Sequence, residues 1–154
     1  MSTKVASTPL KFELASPESL AVCYPIHCAV QVVPWSKSTF TDCTTSPYEC
    51  WLVISDDVIL GYAILLIVLD EVTVMDIAIA PEYQGQGVGK QLLQHVLCHC
   101  RHQQHRVCFL EVRESNQAAI HVYTKAGFAL LERRKNYYPI AGGREDALMM
   151  SLQL

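Results

Sequence analysis

The chain has 154 residues, 12 Lys and Arg against 15 Asp and Glu, a formal net charge of −3, and 51% hydrophobic residues. That length suits one domain, 1–154, able to bury a core without a disulfide or metal staple. The apolar content excludes a disordered chain, and the charge balance argues against a nucleic-acid binder that relies on net positive charge.

Residues 11–14 predict a short strand. Ser16 then supplies a helix cap and Pro17 a first helical position, opening a helix to about residue 30 that Pro25 should kink or break. Pro34, Trp35 and Ser36 open a shorter helix. The Val- and Ile-rich stretches 51–55, 58–69 and 71–80 read as strands, with Asp56-Asp57 and Asp70-Glu71 at the turns between them. The longest apolar run, 58–69, is too short for a membrane span, which needs about 20 residues. A helix is expected over 87–102, because Val88, Leu92, Leu93, Val96, Leu97 and Cys100 form one apolar stripe. A strand over 106–113, a helix over 116–126 stopped by Gly127, and strands 128–133 and 147–152 complete the chain. The order β-α-α-β-β-β-α-β-α-β-β is that of an α/β (α+β) fold, a mixed sheet with helices packed on it.

Seven cysteines, Cys23, Cys28, Cys43, Cys50, Cys98, Cys100 and Cys108, include no CxxC pair. Residues 1–16 lack the apolar core of a signal peptide, so the expectation is a reducing cytoplasm and free thiols that act as small core residues. His95, Cys98, His99, Cys100, His102, His105 and Cys108 crowd together, and His95 and His99 have a spacing that can place two metal ligands on one helical face. The apolar stripe already claims the core side of that helix, which leaves His95 and His102 on the solvated side and His99 at its margin. No carboxylate completes a ligand set, so no metal is expected.

The densest chemical signal is Gln84-Gly85-Gln86-Gly87-Val88-Gly89-Lys90, between a strand and a helix. Alternate glycines let the backbone turn tightly and gather its N–H groups; the helix N-terminus and Lys90 add positive potential suited to phosphate. A glycine-rich connection with no ligand is the other reading of this loop alone. Walker A spacing and GxGxxG with an acidic ribose partner are both absent.

This segment resembles the Q/R-x-x-G-x-G/A motif with which the GNAT superfamily of N-acetyltransferases holds the pyrophosphate of coenzyme A. Ile77-Ala78-Ile79 looks like that family's splayed strand, whose backbone pairs with the pantetheine arm. Asn116 and Tyr123-Thr124-Lys125-Ala126-Gly127-Phe128 match its later N…Y-x-x-x-G-F element. Further matches, Pro34-Trp35-Ser36…Phe40, Leu110-Glu111-Val112-Arg113 with Ser115-Asn116, and Asn136-Tyr137-Tyr138-Pro139 with Gly143-Arg144-Glu145-Asp146-Ala147, are similar to the RimI-type ribosomal-protein-alanine N-acetyltransferases. Gly85 departs from that group, which often carries arginine there.

The resemblance implies a mostly antiparallel sheet, splayed at an acetyl-CoA site, with helices on both faces. Acetyl-CoA would be the cosubstrate, bound by Ile77, Ala78, Ile79, the 84–90 loop and Asn116. The acceptor would be the N-terminal alanine of small-subunit ribosomal protein eighteen, acetylated directly in a ternary complex. Another peptide N-terminus, a lysine or a small amine is an alternative acceptor, and a non-catalytic coenzyme A-responsive module is an alternative from another class. The expected partner is a ribosomal-protein peptide, with no direct nucleic-acid or membrane contact, and the chain is expected as a monomer or weak dimer.

Within this reading Glu111, which interrupts an apolar run, is the expected general base, although its position alone also suits an exposed edge-strand Glu. Tyr123, sharing a helical face with Asn116 and Ile120, is the expected proton donor; a core tyrosine is the other reading. Tyr137, Tyr138 and Trp35 are expected to contact the peptide, with the two tyrosines between the last strands. Glu114, Glu145 and Asp146 are candidates for an acidic approach to a basic peptide.

Overall fold

The computed structural model describes residue 4 and residues 8–154. The leader reading of residues 1–16 falls in part outside them. In chain order the elements are β1 (Lys11–Leu14), α1 (Pro17–Val22), α2 (Tyr24–Val30), α3 (Lys37–Thr41), β2 (Tyr48–Ser55), β3 (Val58–Val68), β4 (Glu71–Ile79), α4 (Val88–His102), β5 (Val107–Arg113), α5 (Gln117–Lys125), β6 (Ala129–Ile140) and β7 (Gly143–Gln153). The strands form one sheet in the order β1-β2-β3-β4-β5-β7-β6. Every pair is antiparallel except β4–β5, which is parallel.

Each face of the sheet carries a core. On one face Trp51, Val53, Ala63, Leu65, Val72 and Val74 pack against the α4 stripe and against Tyr123 and Phe128. On the other, Cys50, Leu52, Tyr62, Ile64 and Ala78 pack against Leu20, Cys23 and Phe40. Cys23, Cys43, Cys50, Cys100 and Cys108 are buried free thiols, whereas Cys28 and Cys98 are exposed. Burial pushes the Cys23, Cys50 and Cys108 thiols up to about 12, so they remain protonated at neutral pH. Among the described residues no helix is long and apolar enough to cross a membrane.

Two elements differ from expectation for local reasons. The break in the first helical stretch falls at Cys23, and Pro25 sits in the first turn of α2, where its missing N–H removes no helical bond. The last two strands are far longer than predicted and take in both the Asn-Tyr-Tyr-Pro and Gly-Arg-Glu-Asp segments. Tyr137 and Tyr138 therefore lie within β6 and not between strands. β6 is an edge strand, which is why it tolerates Pro139.

One irregularity positions the site. Across β3–β4, Ile64 pairs with Asp76 and Leu65 with Val74, which leaves Met75 as an inserted bulge residue. The extra residue inverts the facing of β4. Val72 and Val74 point to the α4 side, but Asp76 and Ala78 point to the α2 side, and Ile77 and Ile79 take over the α4 side. At the same place the β4–β5 ladder stops, its last pair being Val74 with Leu110.

Candidate active site

Beyond Val74 and Leu110 the two parallel strands part, β4 continuing to Ile79 and β5 to Arg113. Ile77, Ala78 and Ile79 remain paired with Ala63, Tyr62 and Gly61 of β3. Their other edge turns to the gap, where backbone groups can meet an amide-bearing arm. Glu111 is the first β5 residue past the last pair.

At the end of β4 the 84–90 loop closes onto α4. Gly85 has φ +74° and Gly87, the N-cap of α4, has φ +79°, a region that favours glycine. A Cβ at either would meet no atom within 4 Å, so the loop presents bare backbone to open space. The first turn of α4, at Val88, Gly89 and Lys90, adds N–H groups that lack helical partners. Gln84 has a different part: its side-chain amide donates to the Ile79 carbonyl at 2.9 Å and ties the loop to the strand. Lys90 also borders a groove of about 250 Å³ between α4 and α5, shared with His121 and Lys125. The glycine backbone, helix terminus and cations together fit a pyrophosphate-bearing cosubstrate.

On the other side of the gap Glu111 is held from the C-terminal strands. Tyr138 of β6 donates its hydroxyl hydrogen to Glu111 Oε1, and Arg134 Nη1 lies 3.6 Å from Oε2. The Arg113 guanidinium lies 4.1 Å from the centre of the Tyr138 ring, and Tyr137 stands edge-on to it. Burial and the Glu111 contact raise the Tyr138 phenol above its ordinary range, which keeps it a donor. Tyr137 contributes an exposed ring, with the Arg134 guanidinium 5.3 Å from its centre.

Tyr123 is buried on α5, edge-on to Phe128 at 6.0 Å. Its phenol is pushed up to about 12, first by burial and then by the charge of Asp76. It is therefore protonated across the neutral range. Asn116 caps α5, its side-chain oxygen accepting the Ala119 N–H at 3.2 Å, so it also fixes the start of the helix that carries Tyr123.

The expected acidic approach is internally neutralised. Glu145 pairs with Arg113 at 3.0 Å, while Glu114 and Asp146 both pair with Arg133, at 2.7 and 3.0 Å. Trp35 lies in the α2–α3 connection, its N–H and C=O held by His27 and Tyr24. The His/Cys crowd is dispersed. His95 is not solvated as expected: it stacks on Phe12 at 4.4 Å and meets Trp51 edge-on at 4.7 Å. His99 pairs with Glu49 at 3.0 Å.

Arg113, Arg134, His27 and Asp76 had no role in the sequence reading. For Asp76 there was a signal, a carboxylate inside the apolar 71–80 strand.

Comparisons with known proteins agree with this geometry. Residues 18–128 match the model of the acetyltransferase (GNAT) family. The chain is 38% identical over 135 residues to the [ribosomal protein bS18]-alanine N-acetyltransferase of Escherichia coli (strain K12), covering 88% of this chain and 91% of that protein. It is 42% identical over 132 residues to the Haemophilus influenzae protein of the same name, covering 85% and 90%. The crystal structure of the ribosomal-protein-S18-alanine N-acetyltransferase from E. coli superposes with a TM-score of 0.90, at 35% identity and 94% coverage of both chains. The parted strands, the glycine cradle and these relatives establish that the chain belongs to the acetyltransferase (GNAT) family, whose members use acetyl-CoA as the acetyl donor.

Proposed function

We propose that this chain, acting as a single N-acetyltransferase domain, transfers the acetyl group of acetyl-CoA to the α-amine of an N-terminal alanine, that of ribosomal protein bS18. The observation that carries this reading is the pairing of Glu111 with Tyr138 at the parting of β4 and β5, opposite the glycine cradle. The likeness to the bS18-alanine enzymes over most of both chains supports the choice of acceptor.

Acetyl-CoA supplies an activated thioester; the chain must hold it, present a neutral amine and protonate the leaving sulfur. The 77–79 backbone, the 84–90 loop and Asn116 serve the first task. An α-amine has an ordinary pKa of about 7.7–8.0, so roughly a tenth is neutral at pH 7, whereas a lysine amine at about 10.4 is almost wholly charged. A modest base is enough for the N-terminal acceptor. Glu111 takes the proton released by the amine, directly or through a water, while Tyr138 and Arg134 hold its two oxygens. Tyr123 hydrogen-bonds the developing thiolate and passes its proton late, because a phenol at about 12 is a poor acid for an ordinary thiol at about 8.5. Tyr137 and Trp35 border the incoming peptide.

The test is mass spectrometry of peptides beginning with Ala, Met or Ser, incubated with the protein and acetyl-CoA, together with a lysine-only peptide blocked at its N-terminus. Acetylation of the alanine α-amine in preference to the others is expected. Failure to modify any free N-terminus would overturn the reading, and preference for the blocked peptide would move the acceptor to lysine.

A further inference from the structure

The bulge at Met75 turns Asp76 away from the α4 core and buries it beneath α2, where it is 7% exposed. There its carboxylate receives three donors. Tyr62 O–H reaches Oδ2 at 2.6 Å, His27 Nδ1 reaches the same oxygen at 2.8 Å, and Gln31 Nε2 reaches Oδ1 at 2.7 Å. His27, 1% exposed, accepts the Trp35 N–H at its other nitrogen, Nε2, at 2.9 Å. The ring therefore carries its proton on Nδ1, and its two nitrogens join the strand to the loop. The Trp35 carbonyl accepts the Tyr24 hydroxyl at 2.7 Å, so both peptide groups of this residue are held by α2 side chains. Residues 31–36 otherwise have no regular structure and expose Val32 and Val33 at 63% and 62%. A side-chain relay thus runs from the strand position next to the parting, through a buried imidazole, to an apolar loop.

We propose that His27 is a positioning residue for the acceptor: held by Asp76 and Tyr62, it fixes Trp35 so that the 31–36 loop stands as an apolar wall for the first side chains of the incoming peptide. This rests on the reading that Trp35 borders the acceptor site. The donor side is built on the same strand, at Ile77 to Ile79, but through the backbone edge that faces the gap, opposite the edge that pairs with Tyr62 and its β3 neighbours. Loosening the loop should therefore weaken acceptor binding and spare the donor. A relay that served folding alone would lower the melting temperature and leave the two substrates equally affected.

The experiment compares wild type, Trp35→Ala, His27→Leu, His27→Gln and Tyr24→Phe by steady-state kinetics with an alanine-initiated peptide. Calorimetric acetyl-CoA binding and thermal melts accompany each variant. Trp35→Ala and His27→Leu should each raise peptide KM about tenfold, with kcat at saturating peptide and the acetyl-CoA Kd within about twofold of wild type. His27→Gln, which keeps an acceptor for the Trp35 N–H, should recover most of the loss, and Tyr24→Phe should raise peptide KM about threefold. Wild-type peptide KM in His27→Leu beside a raised value in Trp35→Ala would overturn the relay and leave the acceptor reading standing. An unchanged KM in Trp35→Ala would remove the acceptor reading and the relay with it. If His27→Leu does not fold, Tyr24→Phe decides: a wild-type peptide KM there overturns the proposal.

Discussion

Tyr138 on β6 donates its hydroxyl hydrogen to Glu111 on β5 although β7 lies between those two strands. The Tyr138 and Glu111 side chains reach toward each other across two inter-strand spacings, about 10 Å, and the Arg113 guanidinium lies against the Tyr138 ring. The candidate base is thus oriented from the β6 edge of the sheet, three strands away from β4, which leads into the cofactor loop.

Tyr138→Phe keeps the ring and its contact with Arg113 but removes the donor. Turnover should fall about tenfold, the effect of losing one hydrogen bond to a charged group. Glu111→Gln should lower turnover by about 10²–10⁴, with acetyl-CoA affinity near wild type. Combining the two should cost little more than Glu111→Gln alone, since Tyr138 acts through that carboxylate. Additive losses in the kinetic cycle would mean that Tyr138 touches the substrate independently.

Tyr123 makes a different prediction. Its phenol stands at about 12, above its ordinary value, so the proton-carrying form persists as pH rises and ionises only near that value. A pH–rate profile from 6 to 10 should show no limb from this residue. Tyr123→Phe should lower kcat by about 10- to 100-fold at every pH in that range without moving either limb. An alkaline limb that vanishes in the variant would assign the ionisation to Tyr123 and contradict the stated environment.

The glycine loop, Glu111 and Tyr123 could be picked out as candidates because each is a local pattern: a spacing, an interruption, a helical face. The helix α4 was legible for the same reason. The facing of β4 was not. Strict alternation over 71–80 puts Val72, Val74, Asp76 and Ala78 on one side, and only the pairing of Ile64 with Asp76 inserts Met75 and inverts the second half. The length of β6 was equally hidden, because Arg133 to Asn136 has little strand character of its own. That stretch is held by contacts distant in sequence: Arg133 to Asp146, and the Asn136 N–H to the same carboxylate at 2.9 Å.

Gly61 was also invisible, counted only as part of an apolar run. In the sheet it pairs with Ile79, and a Cβ there would lie 2.3 Å from the Ala78 carbonyl oxygen and 2.6 Å from Ile79 Cδ1. The first contact is with backbone, so β4 itself would have to move, at the residues expected to meet the coenzyme arm. Gly61→Ala should destabilise the fold by about 1–3 kcal/mol, as overpacking does. It should also weaken acetyl-CoA binding more than Gly89→Ala, whose Cβ would meet only Ile79 Cγ1, at an ordinary 3.5 Å. Denaturant melts and calorimetric titration test the pair; equal behaviour would mean that β4 yields freely.

The carboxylates of β7 give a prediction in pH. Hydrogen bonds from Ser115 and the Arg113 guanidinium hold Glu145 below the usual carboxylate range, and the Asn136 N–H with Arg133 does the same for Asp146. A lowered native pKa contributes stability that is present above the unfolded-state value, about 4, and is lost as pH falls through the native value. Glu145→Gln should therefore melt below wild type at pH 7; the gap should begin to narrow near pH 4, about the unfolded-state value, and close only below the lowered native value, where the folded carboxylate is itself protonated. Calorimetry across pH 7 to 3 measures this. Because the Arg113 that pairs with Glu145 also lies against the Tyr138 ring, the same variant should lose some turnover at pH 7. A melting gap independent of pH would show that Glu145 contributes by packing and not by charge, and would remove the electrostatic link between β7 and the Glu111 site.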